Sequence, residues 1–102
     1  MTNEYALVPL GNLVRRTDLS SAYTLVTTGA HVVHIQPFNQ DVWLTTDGSV
    51  PTATNGFKLF KDGLTEWDVS GGAVLKVLEV TASAEIRYQL YNKVSTAKSK
   101  GF

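Results

Sequence analysis

Apolar and polar residues alternate with a period of two along short runs of this chain, and turn residues break the runs at close intervals. In EIRYQLY, Ile86, Tyr88 and Leu90 fall on one face and Arg87, Gln89 and Tyr91 on the other, the pattern of a strand with one buried face. AVLKVLEV, from Ala73 to Val80, carries apolar residues on both faces and is expected at the centre of a sheet. Further strand candidates are YALVPL near the start, YTLV (23–26), HVVHIQP (31–37), DVWL (41–44), GFKLF (56–60) and LTEWDV (64–69). Between them stand TTGA, FNQD, KDG and SGG, each rich in residues that turn the chain. About eight short strands so separated predict an all-β fold, a small antiparallel sandwich or barrel. TDLSSAYTL offers the one helix start, with Thr17 or Asp18 as a cap; no amphipathic run follows, so at most one turn is expected.

A chain of 102 residues fits a single domain with a core of its own. The β-rich domain is expected over residues 1–92, with an N-terminal segment in which Pro9 and Gly11 favour an arm or an edge strand over a central one. Residues 93–102, KVSTAKSKGF, lose the alternation and carry three lysines, the composition of a polar basic tail. Nine basic and nine acidic residues leave no net charge, which removes the electrostatic case for nucleic acid or an anionic membrane as partner. No run approaches the roughly 20 apolar residues that span a bilayer, and no secretion signal is expected. With no cysteine, there is neither a disulfide framework nor a thiolate site.

The stretch TTDGSVPTATNG, Thr45 to Gly56, poses the question of a site or a turn. As a calcium loop it fails on ligand count, because Asp47 is followed by no second carboxylate. As a phosphate loop it fails because Asn55-Gly56 leads into a strand candidate and not a helix. Turn chemistry remains: Asp47-Gly48 and Asn55-Gly56 can reverse the chain, and Pro51 withholds a ladder donor. Its hydroxyls could still meet a neighbouring subunit.

His31 and His34 stand three apart, so on a strand they face opposite ways and do not make a zinc pair. Asp62, Glu66 and Asp68 crowd one region; on a strand Glu66 and Asp68 share a face, the pattern of a solvated edge. No nucleophile, base and oxyanion donor combine into a catalytic constellation, and neither an enzyme nor a cofactor is expected. Trp43 and Trp67, in DVWLT and TEWDV, are either core anchors or, exposed together, a sugar-stacking platform.

Trp43, Thr45, Thr46, Asp47, Gly48, Pro51, Thr52 and Gly56 spell W-x-T-T-D-G-x-x-P-T-x-x-x-G, followed by Leu75-Lys76 and a last strand containing Tyr88. This pattern, over roughly the C-terminal half, resembles small virion structural proteins of tailed bacteriophages. The resemblance implies a capsid decoration (cement) protein or a small head-to-tail or tail component. Its partners would be the major capsid protein or other virion proteins, with copies of itself on the particle and no cofactor. The expected contact regions are the Thr45–Gly56 loop with Asn55, the N-terminal segment with Arg15 and Arg16, and the tail. The alternative is a carbohydrate- or receptor-binding module built on Trp43 and Trp67.

Overall fold

The computed structural model of the chain describes residues 5–96. Each strand candidate becomes one strand: β1 (Tyr5–Arg16), β2 (Tyr23–Thr24), β3 (Val32–Phe38), β4 (Val42–Thr45), β5 (Phe57–Leu59), β6 (Thr65–Asp68), β7 (Lys76–Glu79) and β8 (Glu85–Ser95). They form two four-stranded antiparallel sheets, β1-β8-β3-β6 (sheet 1) and β2-β7-β4-β5 (sheet 2), packed as a β-sandwich. The chain changes sheet at every connection except β4 to β5, which is the single hairpin. Crossing links therefore close both ends of the core.

Alternation places Val33 and Ile35 of β3, Ile86 and Tyr88 of β8, Val42 and Leu44 of β4 and Leu75 and Val77 beside and on β7 between the sheets. β7 and β8, the two runs read first, are both interior strands. Tyr88 is the largest fully buried side chain. Its ring fills the core, and its hydroxyl meets the Tyr23 hydroxyl at 2.8 Å and accepts from the Val26 amide at 3.4 Å, tying sheet 1 to the first strand of sheet 2. Burial first, and then the Tyr23 bond, push the Tyr88 phenol up to about 12.

TDLSSAYTL forms no helix, within the limit of one turn expected for it. Asp18 adopts a positive φ of 61°, outside the helical region. The link from β1 to β2 instead drops Leu19 into the end of the core, and the Leu19 carbonyl accepts from the Glu79 amide at 2.9 Å.

β1 and β8 are the long strands, twelve and eleven residues, and pair from Tyr5↔Ser95 to Arg16↔Ile86 around a bulge between Leu10 and Val14. The N-terminal segment is thus an edge strand. β3 pairs with β8 only as far as Tyr91, so among the described residues Asn92–Ser95 have β1 as their sole strand neighbour. Tyr5–Val8 and Asn92–Ser95 make a two-stranded ribbon that runs past the sandwich. Strand β8 continues past residue 92 to Ser95, because Lys93, Val94 and Ser95 extend the β1 ladder; residues 97–102 of the expected tail lie outside the described residues.

Pro9 shows how the open edge of β1 is finished. The Tyr91 carbonyl accepts from the His31 amide at 3.0 Å, so Tyr91 turns its main-chain groups toward β3. Pro9, its partner across the ladder, then turns its own to the open side. The missing N–H costs no ladder bond there and denies a donor to an added strand.

Replacing Tyr88 by Phe keeps the ring and strands the Tyr23 hydroxyl and Val26 amide. It should lower stability by about 1–2 kcal/mol in urea unfolding followed by Trp fluorescence.

Candidate functional site

The Thr45–Gly56 stretch is the β4–β5 hairpin, and it is knitted rather than slack. The Asp47 carboxylate accepts from both the amide and the hydroxyl of Ser49, which together hold its pKa below the ordinary carboxylate value. Thr52 and Asn55 exchange main-chain bonds at 3.0 and 3.2 Å, and the Asn55 amide donates to the Ser49 hydroxyl and the Val50 carbonyl, each at 3.0 Å. At Gly56, φ is 120° and a Cβ would run into the Leu44 carbonyl oxygen, so only glycine brings β5 alongside β4 here.

Burial divides the expected contact residues of this loop. Thr45 is 3% exposed and gives its hydroxyl to the Ser49 carbonyl, and Pro51 is fully buried; the fold uses both. Thr46 is half-buried, whereas Asp47, Thr52 and Asn55 face solvent with Val50. Asp47 is bridged to Val74, whose carbonyl accepts from the Gly48 amide at 3.0 Å.

That bridge fixes the loop at the end of the sandwich from which the ribbon projects. Val74 and His31 line one hollow of about 480 Å³ with Thr28, Gly29 and Ser70. The His31 imidazole in turn accepts from the Lys93 amide of the ribbon at 2.8 Å. The loop, the hollow and the ribbon therefore share one end. The ribbon carries apolar side chains in the open, with Tyr5 52%, Val8 45% and Val94 48% exposed.

Arg15 and Arg16 lie away from this end. Arg15 stands directly across the ladder from Arg87, a like-charge pair that would repel. Glu85, only 5% exposed, relieves it: one carboxylate oxygen accepts from the Arg15 Nε at 2.7 Å and the Arg87 Nε at 2.9 Å, and the other from Arg15 at 3.0 Å. Bonds from Arg15 and then Arg87 hold the Glu85 carboxyl below its ordinary value of 4.5. Arg16 lies 4.5 Å over the Tyr23 ring. Glu85 and Arg15 line a second hollow, about 420 Å³, with Asp18, Glu79 and Ser83.

The two indoles do not form a platform. Trp67 lies across from inward-facing Val33 and packs on Phe57 with ring centroids 5.6 Å apart, closing the gap between the sheets at the β5/β6 side. Trp43 alternates with buried Val42 and Leu44, so it faces out of sheet 2, where Lys58 lies 5.5 Å from its ring. Both are half-buried.

On the outer face of sheet 1 the charged side chains are paired. His34 meets Glu66 at 3.0 Å and packs on Tyr91 at 4.5 Å between centroids. Lys93 reaches Asp68 at 2.9 Å, and Val32, which pairs with Asp68 and Tyr91, is buried although it points outward. The Ser70 hydroxyl first, and Lys93 second, hold the Asp68 carboxyl far below the ordinary range. Among the described residues no three His, Cys, Asp or Glu side chains are placed to hold a metal ion. The ribbon was missed in the sequence because Lys93 and Ser95 read as tail; Val94, opposite Ala6, was the signal.

Comparison with models of protein families, with curated proteins and with solved structures finds no match to this chain.

The Glu85 bonds give a pH dependence of definite sign. Its pKa is lower folded than unfolded, so its contribution is complete above about pH 4.5 and is lost as pH falls through the folded value. The thermal midpoint should stay level from about pH 7 to about 5 and fall below 4.5, and Glu85→Gln should make that fall shallower, as followed by circular dichroism.

Proposed function

We propose that the chain is a non-enzymatic structural protein of a tailed-phage virion that decorates and stabilises the capsid by binding its lattice. One observation carries the reading: a ribbon with exposed apolar side chains projects from the same end as the Thr45–Gly56 loop. An apolar surface held out from a small domain marks a protein interaction site. Such a ribbon reaches across a seam between two shell subunits without help from the sandwich behind it. The exposed Thr52 and Asn55 of the loop add a polar rim, and exposed Val50 extends the apolar centre.

The W-x-T-T-D-G-x-x-P-T-x-x-x-G resemblance points the same way, and the residues that carry it have a structural use. Gly56 admits the close approach of β5, buried Pro51 and Thr45 anchor the hairpin, and Asp47 caps its first turn. A neck or tail position would use the same end of the molecule against a different lattice. The carbohydrate-binding alternative is disfavoured by the two indoles lying on different faces of different sheets.

The test is co-sedimentation with phage heads that lack the protein. Saturable binding is expected. Val8→Asp or Val94→Asp should weaken it by about 10-fold or more, while Ala82→Asp, on the exposed β7–β8 turn, leaves it unchanged. Binding to no head, neck or tail particle, or equal binding by the ribbon variants, would overturn the proposal.

A further inference from the structure

The outer face of sheet 1 is not finished as a solvent surface. Leu13, in the β1 bulge, is 58% exposed and Leu64, just before β6, is 63% exposed. They rim a trough of about 230 Å³ that runs across the sheet, with Gln36, Phe38, Gln89 and Tyr91 on its floor. The face is also polarised across its width. On the β1 side of this face Arg15 and Arg87 outnumber the one carboxylate they share, Glu85, whereas Arg16 turns to the inner side over Tyr23; on the β6 side Asp62, Glu66 and Asp68 outnumber the cations Lys61 and Lys93.

We infer that this face packs against the same face of a second copy of the chain, about a two-fold axis parallel to the strands. Such an axis lays β1 of one copy over β6 of the other, twice. Each Leu13 then rests on the partner's Leu64, and the basic margin lies over the acidic one at both sides. A two-fold across the strands would set β1 over β1 and β6 over β6, like charge on like. Aligned face-to-face packing is the ordinary arrangement for two sheets. Addition of a strand at β1 is the competing route between copies, and Pro9 together with the Leu10–Val14 bulge blunts that edge.

The area fits a weak association. With β3 and the neighbouring parts of β1 and β8 contributing about seven residues each and β6 four, strands about 4.8 Å apart present roughly 400 Å² in projection. That is about half of the roughly 800 Å² per partner of a standard interface. The strand-parallel axis also leaves both ribbons and both loops pointing the same way, so a pair of copies would engage a lattice at two points and gain by avidity. That use rests on the capsid reading; the pairing itself does not.

The absence of native cysteine makes the test direct. Light scattering on the purified chain should give twice the chain mass of 11.1 kDa at concentrations of about 10–200 µM. Leu13→Glu or Leu64→Glu, both at exposed positions, should return it to the single mass with an unchanged circular dichroism spectrum. Under mild oxidation, an equal mixture of Leu13→Cys and Leu64→Cys chains should give a mixed disulfide dimer, and each variant alone should give little. A single mass throughout that range, or a double mass that neither glutamate variant lowers, overturns the inference, as does efficient cross-linking of Leu13→Cys alone. Heads that bind the chain while it stays at the single mass would sink the pairing and leave the capsid reading standing. A double mass without head binding would do the reverse.

Discussion

The ladder between β1 and β8 is the constraint on which the rest of the molecule depends. It joins residue 5 to residue 95, so the strand at the centre of sheet 1 is complete only when both ends of the chain have met. β8 then presents Ile86 and Tyr88 to the core, and the Tyr88 hydroxyl reaches Tyr23 and Val26 on the far side. Every connection but one changes sheet, so few contacts are local and the loop-closure entropy must be met before most burial can offset it. A fold of this kind gains little from any segment alone.

The period of two located all eight strands; burial imposes the alternation outright on β3, β4 and β8, while β1, β2 and β6 bury no residue fully and keep only half-buried positions. The alternation failed where that cause is missing. Beyond Asn92 the ribbon has no sheet packed on it, so Lys93, Val94 and Ser95 carry no apolar stripe and resemble a tail. At Asp18 the local pattern of a helix cap was outweighed by Leu19, whose burial at the end of the core requires a crossing link in that place. The Thr45–Gly56 stretch was legible as a turn from its glycines and its single carboxylate. That Thr45 and Pro51 are buried was not legible, since it follows from the loop folding back on β4 and on Val74. The two tryptophans sit in similar local sequences and could be separated only once the register placed one beside Val33 and the other beside Leu78.

Polar chemistry in this molecule is spent on holding the backbone. Asp47 and Asp68 each bond a serine two residues on, and Glu85 holds two arginines that would otherwise repel. His34 and His31 are each engaged, one with Glu66 and one with the Lys93 amide.

What the fold leaves uncommitted is apolar and lies at its margins. Val8 and Val94 stand on a ribbon with no sheet behind it, and Leu13 and Leu64 rim a sheet face that no other described residue covers. At the open edge of β1 the chain is guarded instead, with Pro9 turned outward and a bulge interrupting the ladder. Guarding an edge while leaving a face and a ribbon apolar is what a domain needs if it must associate by complementary surfaces and not by unlimited strand addition. A face pairs once and is then used up, whereas an edge can template the next copy without end.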